Sequence, residues 1–362
     1  MRGTPSGGDA AAMKKALMLA VATGALLVPA AAAQAATKDV YAGTPPKGVL
    51  EGVAPVAFDN AFYPTRIAIN KGDRIAFRIA GFHNVLFAPK DTEAPDLFVA
   101  NPAAPVAGAK DPAGVDYWFN GQPSIAPNAQ VLAPVGPKVV DGSQLVGSGL
   151  PQGPAKPYKL RFPKTGTYTF LCSVHPGMKM TVTVKGARAD VPSRKQDARR
   201  VQRQARKAAK LAKKLLDGDG TPGGRVVRAG NDRGTLATLA FFPETTTVKV
   251  GQSVRFEMSR RTTEIHNVAF GPADFVAGLA QTFLGPQGLD PVTVYASEPP
   301  GAPLSHDGAN HGNGYLNTGI LDRDGASPMP GNATVTFTKP GTYTYYCVVH
   351  GAEMKGVIRV TS

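Results

Sequence analysis

"GTYTFLCSVHPGMKM", Gly166 to Met180, is an alternating strand that ends on a cysteine, with His175 three residues on and Met178 six residues on. "GTYTYYCVVHGAEMKG", Gly341 to Gly356, repeats the pattern with Cys347, His350 and Met354. The likeness reaches far upstream. "FYPTRIAINKGDRIAFRIAGFHNVLFAP" from Phe62 parallels "FFPETTTVKVGQSVRFEMSRRTTEIHNVAFGP" from Phe241, and the spacing from Pro64 to Gly72 equals that from Pro243 to Gly251. A unit this long, present twice, means two copies of one domain rather than a solenoid.

Each copy reads as all-β. "RIAIN", "DRIAFRI", "YKLRF", "TYTFL" and "MTVTV" alternate or are rich in β-branched and aromatic residues, and Gly, Pro, Lys and Asp punctuate them. Short strands with turn signals and no helical period favour two Greek-key β-sandwich domains, over residues 37–186 and 222–362. Long Pro-, Gly- and Ala-rich stretches between the first histidine and the cysteine of each copy predict ordered loops or short helical insertions at one end of the sandwich.

The chain of 362 residues has room for two such domains, each with its own core. Its first stretch stands apart. Lys14 and Lys15 precede the apolar run "ALMLAVATGALLVPAAAA", and "AQA" at Ala33 to Ala35 offers small residues for cleavage, so residues 1–35 read as a secretory signal peptide. The run is short for a membrane span. The expected localisation is exported: periplasmic, cell-surface or extracellular. Two cysteines in an exported chain would ordinarily pair. Here a disulfide would disable two equivalent constellations, each with its own His and Met.

The formal charge of +14 suggests nucleic acid until it is located. Residues 187–214 hold eleven Lys or Arg against two Asp, a net +9, the leader carries a net +2, and only +3 remains for the rest of the chain. The folded parts are near neutral, so no nucleic acid is expected as a partner. The basic linker, residues 187–221, predicts a helix that starts at a Ser193 cap and ends at Gly218. Val201, Ala205, Ala208, Leu211 or Ala212, and Leu215 form a narrow apolar stripe on it. Two readings stand: a solvated spacer helix leaning on a domain by that stripe, or an attachment to an anionic surface or acidic partner. A straight helix over 193–216 would be about 36 Å long and would hold the two sites apart unless the chain folds back.

A copper ion that shuttles one electron needs a site acceptable to both Cu(I) and Cu(II). One thiolate, two imidazoles and a weak thioether supply that compromise. The cysteine loops offer three of these donors, and His83 in "GFHNVLF" and His266 in "EIHNVAF" offer the fourth. Both halves resemble cupredoxins, the blue type 1 copper proteins, in the plastocyanin and amicyanin group. The resemblance implies two copper ions, one held by His83, Cys172, His175 and Met178, the other by His266, Cys347, His350 and Met354. Met180 also lies near His175, but the repeat aligns Met178 with Met354 and Met180 with Gly356, which is expected to start the last strand. Asn84 and Asn267 match the family's asparagine that ties the two ligand loops together. The C-terminal ligand histidine, here His175 and His350, would reach the surface through an apolar patch and pass the electron. Zinc suits the set less well, since methionine is a poor zinc ligand. His306 and His311 are left over, and loop histidines are most often solvated.

The resemblance makes the chain an electron carrier with redox partner proteins. One rival is a copper-binding or buffering module. A second is a two-domain copper oxidoreductase, of the nitrite reductase or multicopper oxidase type, in which a histidine adjoins the type 1 cysteine. Here Leu171 and Tyr346 precede the cysteines, Ser173 and Val348 follow them, and no His-x-His occurs.

Overall fold

The computed structural model describes residues 35–43, 57–151, 153, 156–175, 177–260, 262–285, 288–323 and 329–362. The leader read over residues 1–35 lies outside them save for Ala35. Among the described residues no helix is long and apolar enough to cross a membrane.

The first half is a two-sheet sandwich. One sheet runs in the order Tyr158–Arg161, Arg74–Ile79, Thr37–Gly43, Ala61–Tyr63. The other runs Arg66–Asn70, Lys179–Lys185, Gly166–Leu171, Leu86–Phe87, Val146–Gly147. Alternation in the sequence becomes two-sided burial. In Lys179–Lys185 the inward residues are Met180, Val182 and Val184, and in Arg66–Asn70 they are Ile67 and Ile69. They meet Val40, Ile75, Phe77 and Leu160 of the facing sheet around Phe170. Each large side chain so buried contributes about 1.5–3 kcal/mol.

The second half repeats this plan. Its sheets are Phe241–Phe242, Val226–Ala229, Ser253–Met258, Asn332–Phe337, Leu304–His306, and Thr245–Lys249, Gly351–Thr361, Gly341–Cys347, Ala269–Phe270, Leu316–Asn317. The core is built on Phe256, Phe270, Phe337 and Tyr345. In both halves the last strand pairs in parallel with an early one, Lys179–Lys185 with Arg66–Asn70 and Gly351–Thr361 with Thr245–Lys249. The last strand begins at Gly351 rather than at Gly356 as expected from the sequence. The insertions hold a hairpin, Phe98–Pro105 with Pro123–Pro127, in the first half and a helix, Ala273–Thr282, in the second.

Residues Ala35–Ser362 form one compact unit. The halves share an antiparallel ladder in which Ala57, Phe58 and Asp59 pair with Thr238, Ala237 and Leu236. In the aligned repeat, Phe58 is the counterpart of Ala237, and these two pair with each other. The join is therefore self-complementary, as at a two-fold interface. The first half's insertion adds a second contact. Val106, Tyr117 and Phe119 pack with Val276, Tyr315, Tyr346 and Val348, Trp118 Nε1 donates to the Ala296 carbonyl at 2.9 Å, and the Tyr295 hydroxyl donates to the Pro123 carbonyl at 2.6 Å.

The long helix, Arg194–Leu216, is capped by Ser193, whose side chain accepts from the Gln196 N–H while the Gln196 side chain accepts from the Ser193 N–H. It does not hold the halves apart. Val201 and Ala205 pack on Ala61 and Tyr63, while Ala208, Ala212 and Leu215 pack on Ala57 and Leu236. The apolar stripe thus covers both strands of the shared ladder. Lys38 and Asp197, both buried, close a 2.7 Å ion pair at the helix start. The spacer expectation fails because a stripe of small side chains lets the helix lie flat across the join.

Candidate metal centres

Each donor set is assembled from two loops at one end of a sandwich. Cys172 follows the strand Gly166–Leu171, and its Sγ lies 3.9 Å from His83 Nδ1 and 3.7 Å from His175 Nδ1. In the second half Cys347 Sγ lies 3.6 Å from His266 Nδ1 and 3.4 Å from His350 Nδ1. Within each set of three the donor atoms lie within 4.8 Å of one another. Both cysteines are free thiols and buried. Met178 and Met354 are buried in the same cores as their cysteines. Met180 sits opposite Phe170 in the ladder and points into the core.

Short-range bonds fix the loops. The Cys172 N–H donates to the Met178 carbonyl, and the Met178 N–H donates to the His175 carbonyl, each at 3.0 Å. That turn brings His175 and Met178 back toward the thiol. Asn84 and Asn267 play matching parts: Asn84 Oδ1 accepts from the Ser173 N–H at 2.9 Å, and Asn267 Oδ1 accepts from the Val348 N–H at 2.8 Å. The Asn84 N–H also points at Cys172 Sγ, 3.4 Å away, where it would stabilise a thiolate.

The two sets differ in electrostatics. Burial, and then the neighbouring His175, lower the pKa of His83 to about 3, so its imidazole is held neutral. Burial raises the Cys172 thiol. Around Cys347 burial again acts upward, but the His350 charge and the hydrogen bonds of His266 and His350 outweigh it and bring the thiol to about 5. Burial alone would lower His350, but the Cys347 charge and hydrogen bond, together with Glu264, raise it to about 10, so a metal bound there would displace a proton from the imidazolium.

These donors fit copper. Two nitrogens and a sulfur this close together, with no carboxylate inside the set, are of the soft class that suits both copper oxidation states. The residues that would hold the ion are His83, Cys172 and His175 with Met178, and His266, Cys347 and His350 with Met354. The sequence profile of the copper binding proteins, plastocyanin/azurin family, matches residues 228–361. This half of the chain thus carries the sequence pattern of a cupredoxin. The first half has the same sandwich and the same donor set, so the chain carries two candidate type 1 copper sites. Among solved structures, dithionite-reduced auracyanin from Roseiflexus castenholzii is 23% identical over 34% of this chain and 89% of its own, with a TM-score of 0.22. The Cu(I) form of a methionine-to-alanine mutant of amicyanin is 22% identical over 39% and 84%, with a TM-score of 0.21. Oxidised plastocyanin from Dryopteris crassirhizoma is 23% identical over 38% and 99%, with a TM-score of 0.21.

Three features of the cupredoxin ends are not those expected. The first concerns the patch around each C-terminal ligand histidine. His175 is 7% exposed, a β-carbon on its neighbour Gly177 would sit 3.8 Å from Thr263 of the other half, and Ala352 packs into the cluster shared between the halves. Each patch is covered by the opposite half. The second is Glu264, which sequence reasoning missed. Its Oε1 lies 3.4 Å from His175 Nε2 and its Oε2 lies 3.3 Å from His350 Nε2. Burial alone would raise this carboxyl, but the His350 hydrogen bond and the nearby histidine charges bring it to about 2. The signal was a break in the repeat: Gly81 stands two residues before His83, where Glu264 stands two before His266. The third is a pair of glycines against the first ligand histidines. A β-carbon on Gly43 would lie 2.2 Å from His83 Cδ2, and one on Gly230 would lie 2.8 Å from His266 Nε2. Only glycine lets the backbone approach the ring edge this closely.

The leftover histidines are not solvated. His306 is buried among Phe270, Phe337 and Tyr343. His311 is held between Asp111 Oδ2 at 2.9 Å and Glu298 Oε1 at 3.0 Å, and so ties the first half's insertion to the second half.

Proposed function

We propose that this chain is an exported blue-copper electron-transfer protein that carries two type 1 coppers, one per half. The observation that carries the reading is the doubled, buried donor set, each with its own asparagine tie. Copper, when bound, supplies a one-electron couple. The protein's part is to hold both imidazoles and the thiolate in place in either oxidation state, and packing and hydrogen bonds on every loop limit the rearrangement on electron exchange. Export is supported by the leader, in which Lys14 and Lys15 precede an apolar run and a small-residue stretch. The partners are single-electron redox proteins. The exposed basic face of the long helix supports a docking preference for an acidic partner or anionic surface.

An oxidoreductase reading lacks a histidine beside either cysteine. Among the described residues, the two donor sets are the only His, Cys, Asp and Glu groups of metal-binding size. The carrier and buffer readings differ in kinetics. Line broadening in mixtures of reduced and oxidised protein should reveal fast electron self-exchange for a carrier. Tight copper binding with no detectable exchange would assign the chain to buffering.

A further inference from the structure

The two ligand histidines that the family resemblance would place at the surface point at one carboxylate. His175 and His350 each turn Nδ1 toward a cysteine sulfur, at 3.7 and 3.4 Å, which leaves Nε2 to carry the proton. Both Nε2–H groups face Glu264, one on each oxygen. The three side chains are 9%, 15% and 14% exposed, so little water competes for these bonds. Glu264 is itself held from across the join: Asn60 Nδ2 of the first half donates to Glu264 Oε1 at 2.6 Å and to Thr263 Oγ1 at 2.9 Å. A carboxylate behind one metal-bound imidazole fixes its tautomer and orientation. Here a single carboxylate does this for two.

We propose that Glu264 joins the two copper sites into one electronically coupled pair, with His175–Glu264–His350 as the path between them. This rests on the two-copper reading above. In the step one electron leaves Cu(I) in one site, which becomes Cu(II), and reduces Cu(II) in the other to Cu(I). No bond forms or breaks and both Nε2 protons stay in place. Glu264 is a positioning residue whose negative charge acts on both sites at once. The path is short because the shared ladder and the long helix bring the two cysteine-loop ends together. The arrangement makes the protein a two-electron store that takes up and releases its electrons singly.

The test uses the full chain loaded with copper, as wild type, Glu264→Gln and Asn60→Ala. Copper content and the blue absorption are measured first, then both midpoint potentials, then the rate of internal electron redistribution after pulsed half-reduction. Glu264→Gln keeps the shape of the side chain but removes the charge and offers one N–H group a donor instead of an acceptor. The expected result is two coppers per chain still bound, both midpoints shifted upward because a carboxylate favours Cu(II), and redistribution slowed by about 10-fold or more. Asn60→Ala should slow redistribution in the same direction and by less. A shift in only one midpoint, or an unchanged rate with both coppers in place, would overturn the bridge. So would a third metal ion per chain that disappears in Glu264→Gln, since the carboxylate would then be a ligand. A wild type that binds no copper as a blue site is a different result, and it removes the two-copper reading along with the bridge.

Discussion

His306 illustrates how a residue can be plain in the sequence and still be misread. It stands in a glycine-rich stretch that looks solvated, yet the strand Leu304–His306 pairs with Asn332–Phe337 and tucks the imidazole against three aromatic rings. Burial lowers its pKa from 6.5 to about 4. A folded-state pKa below the unfolded one means that the neutral ring stabilises the fold in full above about pH 6.5 and that this contribution is lost as pH falls toward 4. The full effect is on the order of 3 kcal/mol. Urea-unfolding midpoints of wild type and His306→Phe should diverge between pH 7 and 4.5, with wild type losing more; a difference that stays constant with pH would show that the ring does not titrate in this window. The eight candidate donors stand out because the chain writes them twice, at the same places relative to the same strands. Glu264 does not, since it stands where the first copy has a glycine. Comparison of the copies exposes what they share and hides what only one of them has.

At the level of elements, the strands follow from two-residue alternation, and the helix from its cap and its run of strong helix formers. The stripe Val201, Ala205, Ala208, Ala212, Leu215 was also visible in advance. Its partner was not, because the covered surface is made of Ala57, Ala61 and Leu236 from two separate halves, and no pattern within the helix specifies them. Small side chains on the stripe let the helix approach the ladder closely, and Leu215 anchors its far end with full burial. Leu215→Ala should therefore cost about 2–5 kcal/mol. The loss should appear in thermal unfolding of the whole chain, with both copper spectra unchanged at low temperature. If Leu215→Ala leaves the unfolding temperature where it was, the helix is an ornament on the join and does not hold it. The exposed basic residues Arg199, Arg200, Arg203, Lys207 and Lys210 lie off this stripe, so charge on that face is separable from the packing beneath it.

The whole molecule is two copies of one sandwich, closed on each other through a self-complementary ladder, an insertion and a helix. The sandwich type and the long helix between the two copies could be read from the repeat and from the run of helix formers that separates them. Their closure could not, since it draws on the unrepeated insertions around Tyr117, Trp118 and His311 and on the helix between the copies. The consequence for function is that each site keeps its own complete donor set while its outlet faces the other site rather than solvent. All of this depends on both sets being real copper sites of the same type. The most direct measurement is the visible absorption and electron spin resonance of the full chain titrated with Cu(II), compared with Cys172→Ser and Cys347→Ser. The account predicts saturation at two coppers per chain, an intense thiolate-to-copper band that bleaches on reduction, and loss of about half that intensity in each variant because one of two matching thiolates has been removed. Loss of the whole band in either variant, or of none of it, would contradict the presence of two independent blue copper sites.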